Sequence, residues 1–198
     1  VCLGSMLNSK NPRVKRGTPP AKAIKRHKCA DVLPELLRDF QGRCAYSMQH
    51  FEHAGKLEVD HFDPRRKKDL RQEYDNLFPA SRHCNGKKSD HWPTKLELTA
   101  GCRFLNPCEE MDYGEQIFED PQTHLVVGIT PAARWHIRMC GLNDDSLVGE
   151  RAKRAKYRDL LENTSIRIKK EAQDLLPLIE SFRQEVEKMI PPIPDLSK

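Results

Sequence analysis

The sequence lacks any run approaching the ~20 consecutive apolar residues that a membrane-spanning helix needs. Its opening also lacks an apolar stretch ending in a small-residue cleavage site. The expectation is therefore a cytoplasmic protein with no membrane association and no secretory leader. Paired C-x-x-C knuckles are missing too, although seven cysteines are present. An odd count without a secretory signal argues against a disulfide framework and for a reducing compartment. The nearest approaches to a knuckle are Cys44-Ala-Tyr-Ser47 and Ser81-Arg-His-Cys84, each with serine where a second thiolate would sit. A hydroxyl is a poor zinc ligand beside thiolate or imidazole, so no structural zinc is expected. Internal repeats and low-complexity tracts are absent as well, which excludes solenoids and disordered scaffolds.

Acidic residues are missing from the first 30 positions, which carry eight Lys or Arg. The remaining 168 residues hold 26 basic against 29 acidic side chains. A basic arm on a near-neutral body is an electrostatic footprint for nucleic acid, or equally a solvated tail. Gly4-Ser5-Met6 reads as a vector-derived junction, so residues 1–5 are set aside. A length of 198 residues suits one domain, or one domain with an appended helical segment. The expected division is a basic flexible arm over 1–28, a main domain over 29–143 and a helical segment over 144–198.

Turn residues and hydrophobic spacing give a coarse map. A short helix is predicted over 31–41, with Pro34 tolerated in its first turn and Gly42 ending it. Residues 57–61 alternate like a half-buried strand that Pro64 closes. Residues 76–80 read as the close of the following loop, leading into a helix from about Ser81. Residues 124–128 are a strand candidate, and helical spacing runs from Asp144. A last helix is predicted over 165–189, bent at Pro177. His124, His136, Trp92 and Trp135 have no motif around them and read as packing residues.

Chemistry concentrates in residues 57–90. Asp60-His61 stands at a strand end, Asn76 follows after the loop, and Asn85-Gly-Lys-Lys88 lies on the next helix. Each part suits phosphodiester hydrolysis. A neutral imidazole can take a proton from water, and oxygen donors such as Asp60 and Asn85 can hold a hard divalent ion, Mg²⁺ or Mn²⁺. Arg65, Arg66, Lys87 and Lys88 can face a phosphate backbone.

Taken together, this block resembles the HNH nuclease motif, including the HNH domain of RNA-guided CRISPR nucleases. The chain is most similar to the small standalone HNH proteins of retron and Septu antiphage systems. The likeness rests on Gly42-Arg-Cys-Ala-Tyr-Ser47, Asp60-His-Phe-Asp-Pro64, Asn76-Leu77 and Cys84-Asn-Gly-Lys-Lys88, within a core of 42–90. The resemblance implies an α+β fold, with a ββα-metal core of two-stranded ribbon plus helix inside a mostly helical shell. It implies His61 as general base, Asp60 and Asn85 as metal ligands, and Asn76 as the brace that orients the histidine. Lys88 is implied as a phosphate contact, and Cys44 and Cys84 as the remnant of a degenerate zinc knuckle that His50, His53 or His83 is not expected to complete. It further implies an endonuclease acting on DNA, with RNA as a second possibility, in antiphage defence beside an ATPase or other defence-system partner. The rival is a catalytically decayed HNH fold that binds nucleic acid or serves in assembly.

Overall fold

The computed structural model describes residues 13–21, 24, 29–66, 73–111, 113–168 and 175–189. Most of the expected arm and the proline-rich 191–194 tail lie outside the described residues. The described chain mixes helices with two small antiparallel sheets, an α+β architecture. None of its helices is long and apolar enough to cross a membrane.

A 3-10 turn at Cys29–Val32 leads into α1, Leu33–Asp39, with Pro34 in the first turn as its fixed φ requires. The helix stops where Gln41 and Gly42 take positive φ, 52° and 70°. A tight loop carries Cys44-Ala-Tyr-Ser47 into α2, Phe51–Ala54. Strand β1, Glu58–His61, pairs antiparallel with β2, Leu77–Ala80, in the register Asp60 to Phe78 and His61 to Leu77. The 76–80 segment is thus not merely a loop closure. All four of its strand residues are buried, so it shows a short apolar run instead of alternation, and Pro79 masks the strand signal. Ser81 then caps α3, Arg82–Lys88, its hydroxyl accepting from the Cys84 amide at 3.3 Å.

The second half covers this unit. Helix α4, Lys95–Thr99, opens on a capping box between Thr94 and Glu97. Helix α5, Tyr113–Gln116, leads into β3, Ile117–Glu119, which pairs with β4, Val126–Gly128. The hairpin lies directly on α6, Pro131–Met139: a Cβ on Gly128 would sit 2.7 Å from the Ala133 carbonyl carbon, so only glycine fits there. Helix α7, Asp145–Ile168, fastens the hairpin with two buried arginines. Arg154 meets both Glu119 carboxylate oxygens at 2.5 Å, and Arg151 donates to the His124 and Leu142 carbonyls at 2.6 and 2.8 Å. Helix α8 spans Leu176–Met189, and residues 169–174 before it lie outside the described residues. Ser165 belongs to the end of α7 rather than opening the last helix, and Pro177 sits in the first turn of α8, where it causes no bend.

The main core gathers Tyr46, Phe104, Leu105 and Trp135 around the loop and α6, with Phe62 and Trp92 packed against it. His136 is fully buried there, and its Nδ1 accepts from the Leu105 amide at 3.1 Å. Burial, followed by the nearby charges of Arg13 and Lys88, depresses this imidazole to about 3. The unfolded chain therefore binds a proton between about pH 6.5 and 3 that the folded chain refuses. Stability should fall as pH drops through that window, by up to about 1.4 kcal/mol per unit. Urea midpoints measured from pH 7 to 4 should show this slope, and His136→Gln should flatten it.

Within the described part of the arm, an apolar residue packs into the body of the protein. Val14 is buried with Phe40, Ala45 and Phe78, and its amide donates to the Pro107 carbonyl at 2.8 Å. An apolar residue between charged ones found a core position, which a count of basic residues does not reveal.

Candidate active site

The β1–β2 ribbon and α3 face each other across two rungs. Glu58 and Asp60, two apart, lie on one face of β1, and Asn85 and Lys88, three apart, lie on one face of α3. The Asn85 amide donates to Glu58 Oε2 at 2.8 Å, and the Lys88 ammonium meets Asp60 Oδ2 at 2.9 Å. The first rung is open to water, while the second is sealed: the side chains of Lys88 and Asp60 are 0% and 7% exposed.

Lys88, implied by the resemblance as a phosphate contact, has a side chain with no exposure to solvent. Its ammonium is held by Asp60 and by the His61 carbonyl, the latter at 2.9 Å. Adjacent lysines on a short helix point about 100° apart, and α3 turns one outward and the other inward. The outward one, Lys87, is half-exposed and pairs with Asp144 at 2.8 Å. A pair in that setting contributes little to stability, so the side chain is readily released to another anion.

Two groups absent from the expected set complete the two rungs. The Tyr46 hydroxyl donates to the same Asp60 oxygen that Lys88 contacts. Burial, and after it the Asp60 charge, push the phenol well above its ordinary range, so it stays a donor. Glu58 completes the open rung. Tyr46 stands in the Cys-Ala-Tyr segment and Glu58 two residues before Asp60, so strand periodicity alone could have flagged the second.

Behind the ribbon, Asn76 bridges the loop that follows His61. Its Oδ1 accepts from the Asp63 amide at 2.8 Å, its Nδ2 donates to the Asp63 carbonyl at 3.3 Å, and its own carbonyl accepts from the Phe62 amide at 2.9 Å. Asp63 also takes a two-pronged contact from Arg65, at 3.1 and 3.0 Å. Burial raises this carboxyl, but the Arg65 hydrogen bond and charge outweigh it and leave it below the usual range. Arg65 lies 4.5 Å over the Trp92 ring and remains exposed, as does Arg66 beside it. The structure therefore sets Asp60 and the His61 backbone against Lys88 of α3, pairs Asn85 of the same helix with Glu58, and places Arg65 and Arg66 on the adjoining turn.

Cys44 and Cys84 are both fully buried and hydrogen-bonded to each other, flanked by Ser47 and Ser81. Burial raises the Cys44 thiol, yet hydrogen bonds from Cys84, from Ser47 and from the Ser81 backbone bring it down to about 5. Cys84, donating to Cys44 and buried, is pushed well up. The thiol pair and the Ser81 backbone contact to Cys44 tie the 44–47 loop to the start of α3.

The donor set has the chemistry of a hard cation. Asp60 and Asn85 offer oxygen, Glu58 adds a second carboxylate beside Asn85, and no soft ligand stands among them. Among the described residues no three His, Cys, Asp or Glu side chains form a preassembled metal cluster.

Residues 44–91 match the HNH endonuclease family model. The match begins at the buried Cys44, runs through both strands and α3, and ends just past the helix. An HNH domain suggests nuclease activity, and it implies a nucleic-acid substrate and the use of divalent metal ions. No curated protein sequence matches the chain.

Proposed function

We propose that the protein is a metal-dependent HNH endonuclease that hydrolyses phosphodiester bonds in DNA, with RNA as the second substrate. The observation that carries this reading is the coincidence of the HNH match with one ribbon–helix unit holding Asp60, His61, Asn76 and Asn85. In it, β1, β2 and α3 form the ββα-metal core, within a nuclease unit of 29–143 that the 144–198 helices buttress.

His61 is the general base, taking the proton of the attacking water. Asn76 fixes the turn after it through the two Asp63 contacts, so the imidazole stands at a strand end whose following loop is braced. Asp60 and Asn85 would hold Mg²⁺ or Mn²⁺, which would supply charge neutralisation at the departing 3′ oxygen. Arg65, Arg66 and Lys87 meet the phosphates from the exposed side. The products carry 5′-phosphate and 3′-hydroxyl ends.

Similarity of layout to the retron and Septu proteins supports a cytoplasmic role in antiphage defence beside an ATPase partner. Isolation of the native protein without a companion ATPase would count against that role.

The second reading, a decayed HNH module that only binds nucleic acid or assembles, is favoured by one feature: an Asp60 oxygen is already matched by Tyr46 and Lys88. Metal binding separates the two. Titration calorimetry with Mn²⁺ should show a site in the wild type that Asp60→Ala loses, and plasmid nicking should require Mg²⁺ or Mn²⁺ and stop with EDTA. Equal heats in both proteins, with no nicking, would establish the decayed module instead.

A further inference from the structure

We infer that Arg16, in the basic arm, is a positioning residue that holds the turn around Asn76, and so sets the loop that follows His61. The inference rests on the nuclease reading for its meaning, but not for its geometry.

Arg16 donates to three backbone carbonyls: Nη1 to Tyr74 at 3.2 Å, and Nη2 to Asp75 at 3.3 Å and to Leu77 at 2.9 Å. These three residues bracket Asn76 on both sides. The guanidinium carbon also lies 4.5 Å from the Phe78 ring centre, 5.2 Å from that of Tyr74 and 5.4 Å from that of Phe40. The head group is thus seated among three aromatic rings while its fork closes the 74–77 turn. The arm is fixed next to it by buried Val14 and the bond from its amide to Pro107.

This arrangement is specific to arginine. A planar fork can reach separated carbonyls and stack at the same time, whereas lysine presents one compact charge whose donors leave from a single nitrogen. The chain of contacts then runs from Arg16 to the turn, through Asn76 to the Phe62 and Asp63 amides, and so to the residues that follow His61. The anchor lies about 60 residues upstream of the turn it holds.

A cavity of about 760 Å³ adjoins the site, lined by Val14, Lys15, Arg16 and Asp75 among others. It offers a small cation a path to the vacated position, which makes chemical rescue a usable test.

The experiment compares wild type, Arg16→Ala and Arg16→Lys in the full chain by amide hydrogen exchange, with cleavage kinetics beside it. In Arg16→Ala, exchange at the Phe62 and Asp63 amides should speed up by about tenfold or more relative to the Val126 amide. Val126 is bound to Asn143 in the remote hairpin and serves as the internal reference. Millimolar methylguanidinium should restore much of the protection, and Arg16→Lys should fall between the two. The cleavage kcat should drop with KM and its salt dependence unchanged.

Uniform acceleration at all three amides would overturn the inference, because it signals global destabilisation. No acceleration at Phe62 and Asp63 would overturn it too. A salt slope reduced by about one would make Arg16 a phosphate contact instead. If Arg16→Ala does not fold, Arg16→Lys decides through the same amide ratio. A wild type that cleaves nothing under any metal condition counts against the nuclease reading, while the exchange ratio still decides the role of Arg16.

Discussion

Lys88→Met should lower the stability of the folded chain by about 3–5 kcal/mol, the usual cost of leaving one member of a buried ion pair alone. Lys88 reaches no solvent, and its ammonium serves two acceptors, the Asp60 carboxylate and the His61 carbonyl. Methionine keeps the length of the stem but leaves the carboxylate with Tyr46 as its remaining named donor. Urea unfolding followed by circular dichroism gives the number. The companion variant, Lys88→Met with Asp60→Leu, should recover most of the loss, since no charge is then stranded in the interior. A loss below about 1 kcal/mol for the single variant would mean that the ammonium behaves as a surface group. That result would restore the reading of Lys88 as a phosphate contact.

The largest effect on activity is expected at His61. Removing a general base slows a reaction by about 10²–10⁴-fold, and His61→Ala should lower plasmid nicking in Mg²⁺ by that factor. Its stability should change far less than that of Lys88→Met, because the Lys88 contact is with the His61 backbone and survives the substitution. Identical preparation of both proteins matters, since a contaminating nuclease would cut equally in each. Equal nicking by wild type and variant would remove His61 from the role of base. The two variants also separate two functions of one segment: Lys88 holds the end of β1 in place, and His61 is proposed to act from it.

Several features of this arrangement were legible in the sequence. A helix was expected from about Ser81, and it begins there, with Ser81 as its cap. Gly42 announced the stop of α1, and Pro64 the end of β1. Such signals are local, because the residue that makes the structure also stands at the place where it forms. The likeness of residues 44–91 to the HNH family was legible for the same reason, through short segments in a fixed order.

Lys88 shows where that reasoning stops. Lys87 and Lys88 are one residue type in one charged run, and polarity alone sends both to water. What turns Lys88 inward is a carboxylate 28 positions upstream on a facing strand, and nothing in the run itself encodes the partner. Arg16 is the same case over a longer separation: as part of a basic arm it reads as one of eight equivalent charges, until three carbonyls and three rings claim it. Pairing over such separations is a property of the folded topology. The β2 strand was obscured differently, by a proline within a segment buried on both sides.

The loop that carries Tyr46 has one more support. The His50 amide donates to the Lys188 carbonyl at 3.1 Å, and Arg43 donates to the Glu187 carbonyl at 2.7 Å, a bond that spans 144 residues. Lys188 also reaches Glu52 at 3.1 Å. The borders of the family match are therefore not borders along which the molecule can be divided. A fragment excised at 44 and 91 would leave Arg16 behind on one side and the end of α8 on the other, and its open edges would expose the backs of Phe78 and Tyr46. Loss of cleavage or of folding in such a minimal piece would report on the cut, since the segment that bears the recognisable chemistry borrows its rigidity from both flanks.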